Sequence, residues 1–417
     1  MCSMPWSNQT AATMSFLLYV QDAAEPPFTK TNIFLQVLAT LFFLDGTPDR
    51  LRAAYDSMKG SLAPWEPSPR SIADEESRSR FLGDGRYEAR PFCFFDMSRL
   101  TIFRFQRAFM TYFSMENGRF AGNTKTLALY HFFEGEQPLL YGLFSGVGRS
   151  LTLLSDGIEL RATIMVMESL TLSAVDWMEP MRELLTNPQL AIPPAEYLSP
   201  EDMINRIGYD GRFSGIMKAG PGFHGVSYIF ANPTARAALT EYLCCLDTRD
   251  ISLVMQQLAA LSVLLATATH KPGQPAFDLY LGRLPTCIDS ARVILENWLE
   301  DEGHRLALVR GLWLLVVLTY ITQLRPVLDG RLLASKELAE ELRGWDVMYD
   351  KAKRQTKKDT PGHLEYLRTL RSLGELCTAC AAVHGRLYYH AAWKLLGQWK
   401  GWTGLGADRE AMLNIRL

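Results

Sequence analysis

Residues Gly146–Val175 read GVGRSLTLLSDGIELRATIMVMESLTLSAV and form a long apolar segment with charged residues inside it. After Gly157 its apolar residues recur at intervals of three and four, which predicts a helix. A charge buried on such a helix needs a partner, because an unpaired buried charge is costly. The charged side chains therefore either face a polar pocket or lie on an exposed edge. They are Arg149, Asp156, Glu159, Arg161 and Glu168.

The composition predicts a globular protein with a sizeable core. The chain has 417 residues, of which 48% are hydrophobic, 11% aromatic and 21% charged. Its formal net charge of −2 gives no reason to expect a polyanionic partner, and we predict no nucleic-acid binding. The one basic run, Lys351–Lys358, is interpreted as a solvated loop.

The sequence shows no pattern of a signal peptide, a membrane span or a secreted disulfide framework. The N-terminus lacks a basic region before its short apolar run, as a signal peptide would require. The longest apolar run, Gly311–Leu324, is shorter than the roughly 20 residues of a membrane span. The seven cysteines do not form a secreted disulfide framework, and Cys377 and Cys380 are interpreted as core residues. We therefore predict a cytoplasmic protein without a membrane span.

Helical periodicity covers most of the chain, and no alternating run requires a sheet. The fold class is predicted to be all-α, with a single domain over residues 1–417 that encloses an apolar pocket. An N-terminal half (30–185) and a C-terminal half (200–410) are separated by the proline-rich segment Asn187–Pro200. The main predicted helical segments are Asn32–Tyr55 (two helices), Phe92–Phe113, Leu127–Phe133, Thr234–Leu246, Ile251–Thr269, Asp278–Glu300, Leu306–Leu324, Leu332–Tyr349, Gly362–His384 and Arg386–Gln398.

Standard catalytic motifs are missing from the sequence. It contains no His-Glu-x-x-His and no repeated carboxylate-x-x-His pair, so we predict no metal site, although one built from distant residues stays open. The segment closest to a nucleophile elbow, Gly148–Thr152, ends in threonine instead of glycine. No dinucleotide-binding fingerprint is present.

A few polar side chains remain embedded in apolar surroundings. Such a combination is typical of a pocket for a bulky, mostly apolar ligand. It is equally typical of ordinary buried ion pairs, and each residue taken singly favours the structural interpretation. The residues are Arg149, Asp156, Glu159, His270, Asp278, Arg283 and His363.

Several segments resemble a known family. The central stretch matches that family's glycine-rich, histidine-containing motif at Gly146, Leu151, Leu154, Gly157, Ile158 and Glu159. Further similar segments are Leu41–Asp56, Ala268–Leu284, Arg310–Pro326 and His363–Leu373. On these matches the chain is identified as a member of the questin oxidase-like proteins of fungal secondary metabolism.

The resemblance implies an all-helical enzyme that opens quinonoid polyketide rings by Baeyer–Villiger oxidation without a bound flavin, using NADPH and dioxygen. The sequence departs from the family where histidines are expected. Arg149 and Leu153 replace two histidines of the central motif, and Arg283 replaces another. The N-terminal histidine cluster falls on Ile33–Val37, which has none. His270, Asp278 and His363 are retained.

Arginine in place of histidine changes the chemistry that we expect. Arginine is a poor base and a poor metal ligand, but it is a permanent cation with several donors. Two arginines in an apolar pocket would polarise carbonyl oxygens strongly. This favours a redox-neutral cyclisation or Diels–Alder-type cycloaddition of a polyketide- or terpenoid-derived substrate, with no cofactor.

The predicted catalytic residues are Arg149, Arg283, His270 and Asp278. The predicted substrate contacts are Asp156, Glu159, His363, Leu153 and Phe277. Two alternatives stay open: retained Baeyer–Villiger activity with NADPH and dioxygen, and a non-catalytic binding protein for an apolar metabolite. The sequence predicts no oligomeric state.

Overall fold

The computed structural model describes residues 31–44, 46–59, 68, 70–83, 106–218, 220–333, 344–355 and 361–403. Helices dominate these ranges, which confirms the all-α prediction. The regular strands are two residues each, β1 (Phe277–Asp278) and β2 (Trp402–Thr403), and they pair in parallel. The single domain over residues 1–417 stays a prediction.

The first half of the chain contains the predicted pair of helices near the N-terminus. The predicted helix Phe92–Phe113 lies mostly outside the described residues. The helices of this half are α1 (Thr31–Phe43), α2 (Pro48–Lys59), α3 (Glu75–Arg80), α4 (Gln106–Arg119), α5 (Thr124–Leu129), α6 (Leu140–Leu143), α7 (Ser145–Glu159), α8 (Thr163–Val175) and α9 (Glu179–Leu185). A π-helical turn, Tyr130–Glu134, follows α5 directly.

The central stretch forms an antiparallel pair of helices, α7 and α8, instead of continuing as one helix beyond Gly157. The chain reverses at residues 160–162, where Arg161 adopts a positive φ of 53°. Gly157 allows the two helices to approach, because a Cβ there would lie 2.9 Å from Cγ2 of Val166. The prediction of a helix that continues from Ile158 was therefore wrong at this turn, because the apolar spacing persists across a backbone reversal.

The second half of the chain supplies the remaining core helices. They are α10 (Pro200–Tyr209), α11 (Val226–Ala231), α12 (Pro233–Cys244), α13 (Ile251–Thr267), α14 (Leu279–Gly282), α15 (Leu284–Asn297), α16 (Glu302–Thr322), α17 (Trp345–Arg354), α18 (Pro361–Ala379) and α19 (Ala381–Gln398). Short 3₁₀ turns occur at Pro188–Ala191, Gly211–Phe213, Phe223–Gly225 and Gly330–Leu333. The proline-rich interruption before Pro200 is confirmed.

Several predicted boundaries need correction, among them the break between the last two helices, which lies at Cys380 and not between His384 and Arg386. The segment Asp278–Glu300 divides into α14 and α15 around Arg283. Helix α17 begins at Trp345, because Gly344 is extended with ψ 161°, whereas a helix was predicted from Leu332. The basic run that starts at Lys351 begins inside α17 and not in a loop.

The core is built around α7, with α8 and α15 packed against it and α18 packed on α15. Helix α16 is long and apolar enough to cross a membrane, but 78% of its most apolar window is buried in the structure. It is the one such helix among the described residues, and its burial is typical of a core helix. This agrees with the prediction of no clear membrane span.

Candidate functional site

Arg149 opens the regular part of α7 and is buried. The three residues before it are left-handed: Gly146, Val147 and Gly148 have φ values of 56°, 58° and 67°. The guanidinium of Arg149 is 3.3 Å from Oδ2 of Asp176, the residue that ends α8. Both side chains are almost completely excluded from solvent. The backbone turn therefore places a cation against a carboxylate inside the protein.

Glu168 is a second buried carboxyl group on which the charge of Arg149 acts. It lies in the middle of α8, is 4% exposed, and its Oε2 has no hydrogen-bond partner among the described residues. Burial raises the pKa of Glu168 to about 8, and the charge of Arg149 offsets part of that effect. Glu168 is therefore mainly protonated at neutral pH. We call Arg149, Glu168 and Asp176 the acid cluster.

Asp176 responds to the same two influences. Burial raises the pKa of its carboxyl group, and the charge and hydrogen bond of Arg149 counteract the shift. The charge of one guanidinium thus acts on two buried carboxyl groups. Asp176 is bonded to it directly, whereas no hydrogen bond to Glu168 is seen in the described part of the chain.

Small polar side chains fix the frame of the acid cluster. Ser150 on α7 donates to the carbonyl of Ser169 on α8, and Ser169 donates back to the carbonyl of Ser150 at 2.9 Å. Gln36 on α1 donates to the carbonyl of Arg149 at 3.2 Å and to Oγ1 of Thr152 at 2.9 Å. These buried hydrogen bonds fix the positions of α1, α7 and α8 relative to one another around the cluster.

The backbone beside Arg149 is strained at one residue. Val147 is β-branched, and a left-handed conformation at such a residue costs on the order of 1–3 kcal/mol. A Cβ on Gly148 would lie 2.8 Å from Sγ of Cys287, so glycine is needed where α7 meets α15. Cys287 also donates to the carbonyl of Val147 at 3.4 Å. Strain that is retained by tight packing is a reason to look for function here.

The other charges of α7 belong to a different arrangement, which we call the ion-pair ladder. It joins α7, α15 and α18 through pairs of arginine and carboxylate side chains. The pairs are Asp156–Arg368 (2.6 Å), Glu159–Arg371 (2.5 Å), Arg283–Glu365 (2.9 Å) and Asp289–Arg292 (2.8 Å). Every guanidinium of the ladder has a carboxylate partner.

The two arginines predicted to be catalytic therefore lie in different clusters. Arg149 pairs with Asp176 in the acid cluster, and Arg283 pairs with Glu365 in the ladder. The predicted substrate contacts Asp156 and Glu159 are ladder residues as well. Burial outweighs the field of Arg368 and raises the pKa of Asp156 to about 6.

Two further predicted residues, His270 and Asp278, lie near β1. Nδ1 of His270 is 2.8 Å from the carbonyl of Lys271, and burial lowers the pKa of the imidazole. Oδ1 of Asp278 accepts from the backbone N–H groups of Tyr280 and Leu281, at 2.8 and 2.9 Å, and so caps α14. Asp278 thus has a structural task that explains its burial.

The remaining predicted contact residues lie in apolar or aromatic surroundings. Leu153 is a fully buried core residue of α7. The ring of Phe277 is 6.1 Å from that of His270. His363 lies against Tyr366 and Trp399, and its Nε2 is 3.2 Å from the carbonyl of Ala352. The catalytic and binding roles of all nine sequence-derived residues stay predictions.

Two cavities of about 410 and 430 Å³ lie near the surface. The first contains Arg249, which is paired with Asp247 and lies over the ring of Tyr197. The second contains Arg236, which is paired with Glu183. Each of these arginines is thus already paired with a carboxylate. The enclosed apolar pocket stays a prediction.

Metal-binding geometry is missing from the described ranges: no three His, Cys, Asp or Glu side chains there are arranged to hold a metal ion. Cys377 and Cys380 are free thiols in this structure, and burial raises the pKa of each. They agree with the interpretation of core cysteines.

The acid cluster was only half visible in the sequence. Glu168 stands out as a single acid in the apolar run Thr163–Val175, but nothing in its spacing assigns it a role. Asp176 follows that run and looks like an ordinary helix-terminal acid. The left-handed turn places Arg149 against Asp176. In the sequence, this turn is indicated by the two glycines that flank Val147.

Comparison with known families agrees with the sequence-based identification. The family model described as questin oxidase-like matches residues 31–373, which is most of the chain. No curated protein matches the chain. The protein belongs to the questin oxidase-like family, and this membership supports an enzyme of secondary metabolism.

Proposed function

We propose that this member of the questin oxidase-like family catalyses a redox-neutral cyclisation of a polyketide-derived carbonyl compound at the acid cluster. In this proposal Arg149 polarises the carbonyl oxygen and Glu168 donates a hydrogen bond or proton to it. The observation that carries the proposal is the buried carboxyl group of Glu168, whose Oε2 has no hydrogen-bond partner among the described residues and on which the charge of the buried Arg149 acts.

The chemistry needs no oxidant or reductant. A carbonyl oxygen that accepts a hydrogen bond from Glu168 withdraws electron density from its conjugated double bonds, which makes them better partners for a cycloaddition. If the ring closes by addition to the carbonyl instead, the proton that Glu168 gives to oxygen is balanced by one that returns from the attacking carbon. In both cases the product has the same atoms as the substrate.

Burial strengthens this kind of catalysis. Water does not screen the acid cluster, because its three side chains are 3–5% exposed, so a charge or dipole acts on a bound carbonyl more strongly than at the surface. Asp176 pairs with Arg149, which offsets the free-energy cost of burying the guanidinium and keeps that side chain in place. The site is therefore preorganised, and the reacting groups need little rearrangement.

A second candidate function is Baeyer–Villiger oxidation, which the family description favours because it refers to an oxidase. This reaction would insert one oxygen atom next to a carbonyl group and would need dioxygen and a reductant. A third possibility, a non-catalytic binding protein, would use the same buried polar groups to hold a metabolite without changing it.

The three functions differ in the mass of their products. The gene is deleted in the organism that carries it, the accumulated compound is isolated, and the purified protein is added under argon without nicotinamide. We expect conversion to a product of unchanged mass. Conversion that requires air and incorporates heavy-isotope dioxygen would establish the oxidation instead. Binding of the compound without any conversion would establish the binding protein.

A further inference from the structure

We propose that residues 399–403, which we call the C-terminal strap, are a latch that controls access to the buried guanidinium of Arg283. The strap follows α19 and lies outside residues 31–373, the part of the chain that the family model matches. The proposal concerns the ion-pair ladder and not the acid cluster, so it goes beyond the proposed function and does not depend on it. In this proposal the strap opens as a unit while the helices that it contacts stay folded.

Two tryptophans hold the strap on the fold. The indole of Trp402 donates to the carbonyl of Gly362, at the start of α18, at 2.7 Å. The indole of Trp399 stacks on the ring of Tyr366, with 4.3 Å between the ring centroids and an interplanar angle of 18°. The backbone adds the pairing of β2 with β1, in which Trp402 lies opposite Phe277. The strap therefore connects α18 with the segment that leads into α14.

Trp402 lies directly on the backbone next to Arg283. A Cβ on Gly282 would overlap the six-membered ring of the indole, so no side chain fits between the ring and α14. The carbonyl of Gly282 also accepts a hydrogen bond from Oγ1 of Thr369 on α18, at 3.1 Å. Gly282 is thus held by both the strap and α18, and the next residue in the chain is Arg283.

Both members of the Arg283–Glu365 pair adjoin residues that the strap contacts. Arg283 follows Gly282, on which the second indole lies. Glu365 precedes Tyr366, on which the first indole stacks. The guanidinium is 2.9 Å from Oε1 of Glu365, and Arg283 is 1% exposed. Release of the strap would let the two backbone segments separate and would admit water, or a ligand with an oxygen acceptor, to the guanidinium.

The strap has the features of a segment that opens locally. Its pairing with β1 is two residues long, and its residues are exposed or only partly buried. Gly401, between the two tryptophans, has a φ of 122° and supplies a hinge. Helix α18, by contrast, carries the fully buried Leu367 and Leu373. Segments with little buried apolar surface open at a lower free energy than the core. The strap should therefore open before α18 unfolds.

The test is the rate at which phenylglyoxal, a reagent for guanidinium groups, modifies each arginine, followed by mass spectrometry of peptides. In the wild type we expect Arg283 to react slowly and the exposed Arg331 to react fast. In Trp402→Ala, which removes the indole from Gly282, Arg283 should react about tenfold faster or more. Arg149 lies in the acid cluster and should react as slowly as in the wild type.

Two further variants sharpen the comparison. Gly282→Ala keeps both tryptophans but places a Cβ where the indole lies, so it should displace the strap and accelerate Arg283 as well. Trp177→Ala is the matched control, because Trp177 is a partly buried indole that donates to the carbonyl of Pro138 at 3.0 Å in the first half of the chain. It should leave the rate of Arg283 unchanged. If neither strap variant folds, hydrogen exchange of the wild type should still show residues 399–403 exchanging before α18.

Three results would overturn the proposal. The first is an unchanged rate of Arg283 in Trp402→Ala and Gly282→Ala, which would show that the strap does not control access. The second is equal acceleration of Arg283 and Arg149, or acceleration of Arg283 by Trp177→Ala, which would show that the whole fold opens. The third is hydrogen exchange of the strap together with α18. None of these measurements involves the acid cluster, so their failure would leave the proposed function unaffected.

Discussion

Helix α7 carries two buried charged regions that differ in their balance. At its start, Arg149 pairs with Asp176, and among the described residues its charge also acts on the buried carboxyl group of Glu168. At its end, Asp156 and Glu159 each meet an arginine of α18 in the ion-pair ladder. Both regions look alike in the sequence, as single charges in an apolar helix. The two regions therefore differ in pairing: we propose as the functional site the region whose buried carboxyl group, Glu168, has an oxygen without a hydrogen-bond partner among the described residues.

The largest expected effect comes from breaking a matched pair. Asp156→Asn leaves Arg368 buried with its main partner removed, which should lower the free energy of unfolding by about 3–5 kcal/mol. Glu168→Gln replaces a neutral acid by a neutral amide of the same shape, so it should cost less than about 1 kcal/mol at pH 6. Denaturant unfolding of both variants measures the contrast. Equal losses would show that the two regions do not differ as described.

A buried histidine gives a reference with the opposite dependence on pH. His131 is fully buried on the π-helical turn, and its ring nitrogens have no hydrogen-bond partner in the described part of the chain. Burial, assisted by Arg78 and opposed by Glu75, lowers its pKa to about 4. Oε2 of Glu116 is 3.9 Å from its Nε2.

The imidazole of His131 is neutral in the fold, but the unfolded chain takes up a proton below its ordinary pKa. Its contribution is complete above about pH 6.5 and is lost as the pH falls toward 4, by about 3 kcal/mol in total. His131→Phe should remove this acid-side loss. His304→Gln, at a partly exposed histidine that stacks on Phe133, is the control. An unchanged acid-side slope in His131→Phe would contradict the assignment.

The proton on Glu168 should make stability fall as the pH rises. Its pKa is about 8 in the fold and near 4.5 in the unfolded chain, so between these values the native state holds a proton that the unfolded state releases. From about pH 6 to about pH 7.5 this group should remove roughly 2 kcal/mol of stability. Unfolding curves of the wild type and Glu168→Gln at several pH values test it. Parallel curves would show that Glu168 does not hold the proton.

The smallest effect is expected at the exposed edge of the ladder. Glu296 pairs with Arg292 at 2.7 Å, but its side chain is 55% exposed and Arg292 also pairs with Asp289. Glu296→Gln should change the free energy of unfolding by less than about 0.5 kcal/mol, because exposed pairs contribute little. A loss comparable to that of Asp156→Asn would mean that burial does not govern the ladder.

Local sequence patterns predicted the fold class, the family and most helices, because apolar spacing and proline positions act within a few residues. They did not predict the turn at residues 160–162, where Arg161 adopts a positive φ within an unbroken apolar pattern. Asp156 and Arg368 are 212 residues apart, so their pairing depends on how α18 packs and not on any local spacing.

In the candidate site, too, single residues could be recognised from the sequence, whereas their arrangement could not. Arg149 was recognised from the family motif, where a histidine was expected, and Glu168 was visible as an acid in an apolar helix. Their assembly with Asp176 depends on three left-handed residues and on the packing of α7 against α8. A strained backbone turn of this kind is determined by tertiary contacts, among them that of Cys287 with Val147, and cannot be derived from composition or periodicity.

The most direct test of the functional assignment is product formation in the gene-deletion strain complemented with variants at equal protein level. Glu168→Gln removes the acidic proton of the acid cluster, and Glu296→Gln makes the same chemical change in the ladder. We predict that Glu168→Gln lowers product formation by about 100-fold or more, whereas Glu296→Gln restores it fully. Full restoration by Glu168→Gln would contradict the assignment of the acid cluster as the functional site.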